Sequence, residues 1–140
     1  MENVLLPIDL AHPEQAQEIL EEAKKYKEGR EVGFTIAHIV SLSDIPGFFT
    51  ALLPEDFAQR ALDDAQVQLE ALVKDNGLDP VAEVLVRSGT PQHELVSLAK
   101  EKAIDLIIIA SHKPRVADYL LGSVAAAVVR HAPCSVLVKR

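Results

Sequence analysis

The chain has 140 residues, of which 49% are apolar, and it carries a formal net charge of −7 at pH 7. This length can bury a sizeable core without disulfides or metal ions, so we expect a single domain over residues 1–140. The negative charge and the aromatic content of 4% argue against nucleic acid as a partner, because such binding needs a basic face and stacking surfaces. Cys134 is the single cysteine, which excludes an intrachain disulfide, and no Cys/His cluster has the spacing of metal ligands.

The hydropathy pattern argues against a membrane protein. No stretch approaches the ~20 consecutive apolar residues that a membrane-spanning helix needs. The N-terminus runs directly into strand-like sequence, without the basic and then apolar segments of a signal peptide. We therefore predict a cytoplasmic protein with no membrane insertion.

Short apolar runs alternate along the chain with longer segments in which apolar residues recur at helical spacing. We predict strands at residues 3–8, 31–40, 81–87, 106–110 and 135–138. We predict helices at residues 13–27, 54–76, 91–102 and 123–131, with Gly77 stopping the second and Thr90 capping the third. Residues 41–53 contain Pro46-Gly47 and Phe48-Phe49 and are predicted to form a loop.

The apolar pattern of the strands indicates the kind of sheet. Residues 3–8 and 106–110 are apolar without alternation, which is typical of parallel strands buried on both faces. In residues 31–40, Val32 and Phe34 belong to a series of larger residues that alternates with smaller ones. The regular alternation of strands with helices predicts an α/β fold, a doubly wound parallel sheet with helices on both faces.

In such a sheet, ligands bind beyond the carboxyl ends of the strands, where the strand order reverses. Asp9 follows the first predicted strand, and Ser111 follows the fourth. If these two strands are neighbours at the reversal, Asp9 and the loop that begins at Ser111 lie in one crevice.

The connection after the fourth strand is chemically suited to holding phosphate. Its polar and glycine residues are Ser111, His112, Lys113, Arg115, Gly122 and Ser123. Lys113 and Arg115 would neutralise phosphate charge, and serine hydroxyls would donate hydrogen bonds to its oxygens. The N–H groups at a helix N-terminus carry partial positive charge, and Gly122 would let a ligand approach the backbone closely.

Asp9 and the residues of this connection could each have an ordinary structural role instead of contacting a ligand. Asp9 could accept a hydrogen bond from a ribose hydroxyl or an adenine amine, or help to hold a magnesium ion. It would otherwise end the strand and cap the turn into the first helix. Lys113 and Arg115 would otherwise lie on a solvated loop, and Ser123 would be an ordinary helix N-cap.

Histidine and cysteine invite catalytic interpretations, but no Ser/His/Asp or Cys/His arrangement can be assembled from their spacing. His112 is therefore expected to shape its loop or to make one hydrogen bond. His38 lies at a strand end and could face the same crevice as Asp9. His131, in the last turn of a helix, is expected to be structural, and Cys134 to be a small buried residue.

Several other functions of α/β proteins require motifs that this chain lacks. The third predicted strand ends in Val86-Arg87-Ser88, without the aspartate of a phosphoacceptor receiver domain. Neither G-x-x-x-x-G-K-[ST] nor G-x-G-x-x-G follows any strand, and no H-x-G-H follows the first. What remains is a nucleotide cradle of another type, or no ligand.

Four segments together resemble the universal stress proteins, and the resemblance covers essentially the whole chain. They are Val4-Leu-Leu-Pro-Ile-Asp9, Ala37-His-Ile-Val40, Arg87-Ser-Gly-Thr-Pro91, and Leu120-Leu-Gly-Ser-Val124 followed by Arg130-His-Ala-Pro-Cys134. The loop Ala-Ser-His-Lys-Pro is similar to that of a short single-domain subgroup with Ser-His-[Arg/Lys]-Pro. The resemblance implies a five-stranded sheet of order 3-2-1-4-5 with the adenine nucleotide alpha hydrolase-like fold. It also implies a homodimer through antiparallel pairing of the last strands, which here run from Ser135 to Val138.

The resemblance further implies a site for ATP, with Mg2+ accompanying the nucleotide. ATP-binding members carry G-2x-G-9x-G-[S/T] after the fourth strand. In this chain Gly122-Ser123 is intact, but Ala110 and Lys113 occupy the first two glycine positions, and eight residues separate Lys113 from Gly122. By position, adenine and ribose would be contacted by Pro7, Asp9 and Ile39. The phosphates would be contacted by Ala110, Ser111, His112 and Lys113, by Gly122, Ser123, Val124 and Ala125 at the helix start, and by Arg115 through its charge.

These observations lead to one principal hypothesis and two alternatives. The principal hypothesis is a dimeric stress-response protein that binds ATP and uses occupancy to set its conformation or its choice of partner. A nucleotide-free dimeric interaction module is one alternative, favoured by the two replaced glycines and the apolar Phe48-Phe49. A slow ATPase or self-phosphorylating protein, modified at Ser111 or Ser123, is the other. We predict no catalytic residues, because no side chain is evidently placed as a general base, and no dedicated metal ligands.

Overall fold

The computed structural model describes residues 1–41, 47, 51–111 and 121–140. In these residues, five strands, four α-helices and one short 3₁₀ helix follow one another along the chain. The strands are β1 (Glu2–Pro7), β2 (Val32–Val40), β3 (Ala82–Ser88), β4 (Leu106–Ala110) and β5 (Ser135–Lys139). The helices are α1 (Pro13–Tyr26), α2 (Phe57–Asp75), α3 (Pro91–Glu101) and α4 (Ser123–His131), and the 3₁₀ helix spans Asp79–Val81.

All five strands form one parallel sheet in the order β3-β2-β1-β4-β5. β1 pairs with β2 from Glu2 opposite Val32 to Pro7 opposite Ala37, and it pairs with β4 on its other side. This confirms the predicted fold class and strand order. Since the order reverses between β1 and β4, the segments that follow these two strands leave the sheet side by side.

The helices cover both faces of the sheet and bury two layers of apolar side chains. The layer under α1 and α2 includes Val4, Leu6, Ile36, Ile19, Leu20 and Leu69. The layer under α3 and α4 includes Leu5, Ile107, Leu98 and Val128. Because successive residues of a strand point to opposite faces, β1 needs apolar residues on both, as its unalternating sequence predicted.

The alternation of large and small residues in β2 marks two buried faces. Phe34 and Ile36 belong to the layer under α1 and α2. The smaller residues between and after them, Thr35 and Ala37, are also buried, with 7% and 1% of their surface exposed. β2 lies between β1 and β3 and is covered on both faces, so the smaller side chains are buried as well.

The ends of the helices differ from the predictions in detail. α2 begins at Phe57 rather than at Pro54, because the Phe57 N–H donates to the Pro54 carbonyl in a turn ahead of the helix. Gly77, with φ of +69°, follows α2 and confirms glycine as its stop. Thr90 occupies the N-cap position of α3, as predicted, but its side chain makes no capping hydrogen bond.

The loop predicted at residues 41–53 falls largely on residues 42–46 and 48–50, which lie outside the described residues. In the described part of the chain, none of the helices combines the length and the apolar character that crossing a bilayer requires.

Candidate functional site

A cavity of about 490 Å³ opens at the carboxyl ends of the central strands. It lies at the β1–β4 reversal, where ligands of doubly wound sheets bind, and its volume is within the ~300–1,000 Å³ of small-molecule sites. It is lined by Pro7, Ile8, Asp9, Ala11, Gln15, Ala16, Ile19, Ala37, His38, Ile39, Val40, Ser41, Pro91, Leu95, Ile109, Ala110, Val124 and Ala125. The walls of the cavity are thus formed by residues of β1, β2 and β4 and by the amino-terminal parts of α1, α3 and α4.

Six of the residues predicted to contact a nucleotide line this cavity: Pro7, Asp9, Ile39, Ala110, Val124 and Ala125. Ser111 follows Ala110 directly, Ser123 precedes Val124 directly, and Gly122 is one position further from the cavity residues. His112, Lys113 and Arg115 lie outside the described residues. The fold therefore brings residues from three strands and one helix together, and their contact with a ligand stays a prediction.

Asp9 makes the structural contacts that its alternative role requires. Its Oδ1 accepts a hydrogen bond of 2.9 Å from the Ala11 N–H, and its carbonyl accepts one of 3.0 Å from the His12 N–H. Half of its side-chain surface, 50%, stays exposed, and Oδ2 lies 3.7 Å from Nε2 of His12. Asp9 therefore shapes the turn into α1 and at the same time presents a carboxylate at the cavity.

The ends of the connection between β4 and α4 are held by backbone hydrogen bonds. The Ser111 N–H donates to the Lys139 carbonyl at 2.9 Å, and the Ser111 carbonyl accepts from the Gly122 N–H at 2.7 Å. Gly122 is buried and occupies the N-cap position, so the N-cap role given as the alternative for Ser123 is wrong. Ser123, Val124 and Ala125 form the first turn, where N–H groups have no acceptor within the helix and can meet an anion.

His38 and Asp9 line the same cavity, which confirms that both face one crevice. The His38 ring reaches from β2 to β1, where its Nδ1 lies 2.8 Å from the Ile8 carbonyl oxygen. This contact joins residues that are 30 positions apart in the chain. The hydrogen bond itself was beyond prediction, because the pairing of the strand ends decides which groups meet.

Much of the apolar wall was missed by sequence reasoning. Ile19 of α1 and Leu95 of α3 are 1% and 3% exposed and form part of it. Their helical spacing marks them as core residues, and nothing in the pattern distinguishes a core position from a cavity wall.

For Pro91, which also lines the cavity, the sequence did contain a signal, because it ends the Arg87-Ser-Gly-Thr-Pro91 turn. The Gly89 N–H donates to the Val40 carbonyl at 3.0 Å and thereby brings the start of α3 to the cavity.

Among the described candidates, Cys134 is not one of the residues that line the cavity. Cys134 is partly buried and packs against the layer under α3 and α4. Burial, and to a lesser extent the charge of Asp105, raises the pKa of the Cys134 thiol, which disfavours the reactive thiolate. Among the described residues, no three side chains of His, Cys, Asp or Glu cluster as metal ligands would.

These features define the class of protein, a doubly wound α/β fold of the adenine nucleotide alpha hydrolase-like type with a cavity at the strand-order reversal. The family model described as the universal stress protein family matches residues 1–140. The chain therefore belongs to the universal stress protein family.

Individual relatives show how far this similarity extends. Universal stress protein G of Shigella flexneri is 35% identical over 85 residues, which span 60% of this chain and 60% of that relative. The solved structure of universal stress protein UspA from Lactobacillus plantarum is 27% identical and covers 99% of this chain and 97% of its own, with a TM-score of 0.75.

Two further solved structures contain nucleotides. One is a universal stress protein in complex with cAMP, with 24% identity, a TM-score of 0.63 and coverage of 99% of this chain and 96% of that one. The other is the universal stress protein from Archaeoglobus fulgidus in complex with dAMP, with 17% identity, a TM-score of 0.65 and coverage of 100% and 98%. At these identities the similarity shows the shared fold.

Proposed function

We propose that this chain binds an adenine nucleotide, ATP in particular, in the cavity at the β1–β4 reversal and acts as a nucleotide-dependent stress-response regulator. The observation that carries the proposal is the cavity itself, in which the Asp9 carboxylate and the first turn of α4 share one space. Both solved relatives with nucleotides hold an adenine nucleotide, which supports the choice of base.

The cavity offers a suitable environment to each part of such a ligand. Pro7 and Ile39 provide apolar surface for the base, as their positions in the family imply. The exposed Asp9 carboxylate accepts hydrogen bonds from ribose hydroxyls. The first-turn N–H groups of Val124 and Ala125 carry partial positive charge toward the phosphates.

Mg2+ would enter with the nucleotide rather than be held by the protein alone. The described residues contain no cluster of three or more metal-ligating side chains. Mg2+ commonly keeps several waters and is held by phosphate oxygens and one or two carboxylates. Among the described residues that line the cavity, Asp9 carries the carboxylate, and it would supply an oxygen ligand to an ion that enters with the nucleotide.

We also propose that the chain is a homodimer through β5. In the part of the chain that the structure describes, β5 lies at one edge of the sheet, with β4 as its neighbouring strand. The Lys139 carbonyl points to β4, and the direction of backbone groups alternates along a strand. The N–H and C=O groups of Val136 and Val138 therefore point away from β4, where a second β5 can pair with them.

One observation favours the nucleotide-free interaction module as a second candidate. Ala110 lines the cavity at a position where the ATP-binding pattern of the family has glycine. Its methyl group stands at the end of β4 and occupies space that a glycine would leave to a phosphate. If this methyl group prevents binding, the dimer acts through protein contacts alone.

Calorimetric titration of the nucleotide-free protein with MgATP, cAMP and MgGTP tests the proposal. We expect binding of the adenine nucleotides and weaker binding of MgGTP. Asp9→Asn keeps the oxygen that accepts from the Ala11 N–H and removes the charge, so affinity should fall about tenfold. Glu18→Gln, an exposed residue of α1 outside the cavity, is the matched control and should bind like the wild type.

One result would reject nucleotide binding, and a second would reject the site proposed for it. One is the absence of heat and of a rise in melting temperature with any adenine nucleotide at millimolar concentration. The other is equal affinity of the wild type and Asp9→Asn, which would place the ligand elsewhere. Mass spectrometry of small molecules released from protein purified without added nucleotide provides an independent check, and recovery of ATP would reject the nucleotide-free candidate.

A further inference from the structure

His38 contacts the backbone on both sides of Asp9. Its Nδ1 lies 2.8 Å from the carbonyl oxygen of Ile8 and 3.4 Å from the backbone nitrogen of Leu10. Ile8 and Leu10 are the residues immediately before and after Asp9. The imidazole ring, which is partly buried, therefore sits against the turn that presents the Asp9 carboxylate.

The distances decide which nitrogen of the ring carries a proton. A carbonyl oxygen only accepts hydrogen bonds, so a contact of 2.8 Å requires a proton on Nδ1 of His38. A protonated Nδ1 cannot accept from Leu10, whose nitrogen is at 3.4 Å, the long end of hydrogen bonding. The neutral ring is thus the Nδ1–H tautomer, with its lone pair on Nε2, and the imidazolium keeps the same Nδ1–H donor.

We propose that His38 is the positioning residue for Asp9 in the nucleotide site, and this inference rests on the proposed function. The Ile8 N–H donates to the Ala37 carbonyl at 2.8 Å, and the Ile8 carbonyl accepts from His38, so β2 holds both backbone polar groups of the residue before Asp9. The Ala11 N–H then fixes the carboxylate itself. Asp9 is held in place before the ligand arrives, and the ordering cost of binding is reduced.

Three substitutions of His38 distinguish the role of Nδ1 from that of Nε2. His38→Ala removes both. His38→Asn places an amide N–H donor near the Nδ1 position and restores the bond to Ile8. His38→Gln reaches toward the Nε2 position instead and leaves the Ile8 carbonyl without this donor. His131→Ala, which removes an exposed ring at the end of α4, is the matched control.

The affinity for MgATP is measured by calorimetry at a temperature where circular dichroism shows each variant to be folded. We expect His38→Ala and His38→Gln to bind about tenfold more weakly, and His38→Asn and His131→Ala to stay within about twofold of the wild type. Two-bond ¹H–¹⁵N correlation spectra of the wild type should show the Nδ1–H tautomer. If His38→Ala does not fold, the difference in MgATP affinity between His38→Asn and His38→Gln still tests the positioning role.

Each contrary result has a distinct meaning. Wild-type affinity in His38→Ala, rescue by His38→Gln but not by His38→Asn, or an Nε2–H tautomer would each overturn the positioning role and leave nucleotide binding intact. Failure of the wild type itself to bind any adenine nucleotide would overturn the proposed function, and this inference with it.

Discussion

The backbone N–H of Gly122 donates a hydrogen bond of 2.7 Å to the carbonyl oxygen of Ser111 and so joins the start of α4 to the end of β4. Gly122 has φ of −62°, a value that any residue adopts. Its amide, rather than unusual backbone freedom, therefore accounts for its observed role in holding the helix start at the cavity.

Substitution at Gly122 tests this hydrogen bond. Gly122→Pro suits the observed φ but removes the N–H, whereas Gly122→Ala keeps the N–H and adds only a methyl group. We expect the proline variant to be less stable than the alanine variant by about 0.5–1.5 kcal/mol. Urea unfolding measures the difference, and equal stabilities would show that the bond contributes nothing.

Gly89 and Gly29 provide a matched pair of glycines. Gly89 has φ of +145°, and a Cβ there would lie 2.7 Å from Cγ of Glu94, whereas Gly29 has φ of +70° and open space around it. Gly29→Ala should cost about 1 kcal/mol and Gly89→Ala about 2–3 kcal/mol. Adding Glu94→Ala to Gly89→Ala should recover only the part of the lost stability that comes from the steric clash, because the backbone strain remains. A Gly89→Ala cost no larger than that of Gly29→Ala would contradict this account.

The ion pair between Arg87 and Glu101 makes stability depend on pH. Hydrogen bonds from Arg87 lower the pKa of the Glu101 carboxyl below its ordinary value of 4.5. The pair therefore stabilises the fold fully above that value, and its contribution is lost as the pH falls through the lowered pKa.

Urea unfolding of the wild type and Glu101→Gln from neutral pH down to about pH 3 tests this dependence. The wild type should be modestly more stable at neutral pH, and the difference should shrink in acid. Glu18→Gln, whose carboxylate is exposed on α1, is the control and should show no such trend. A difference that stays constant over the whole range would refute the assignment to this pair.

Proline substitutions in β5 test its proposed role in the dimer separately from its role in the fold. Val136→Pro removes an N–H that points to the free edge, so the dimer should dissociate in light scattering while the circular dichroism spectrum is retained. Leu137→Pro removes an N–H that points to β4 and should destabilise the fold instead. A monomeric wild type, or a Val136→Pro variant that stays dimeric, would reject pairing through β5.

Helices and strands with a strong pattern were predicted well. The observed α4 and β4 have the predicted bounds, 123–131 and 106–110, because their apolar residues have clear periodicity or continuity. The start of α2 was misplaced because a turn with its own hydrogen bond precedes the helix. The strand order was reached through the family resemblance, since periodicity is the same whichever strands are neighbours.

The sequence by itself determined the alternation of strands and helices, the burial of β1 and β4, and the placement of Asp9 and Ser111 at strand ends. Periodicity and polarity are local properties, so they can be read without knowing which strands are neighbours. Tertiary structure decided what these local patterns leave open: that Asp9 and the start of α4 share a cavity, that Ile19 and Leu95 form its walls, and that His38 bonds to Ile8. These relations depend on strand pairing, which places groups far apart in the chain within hydrogen-bonding distance.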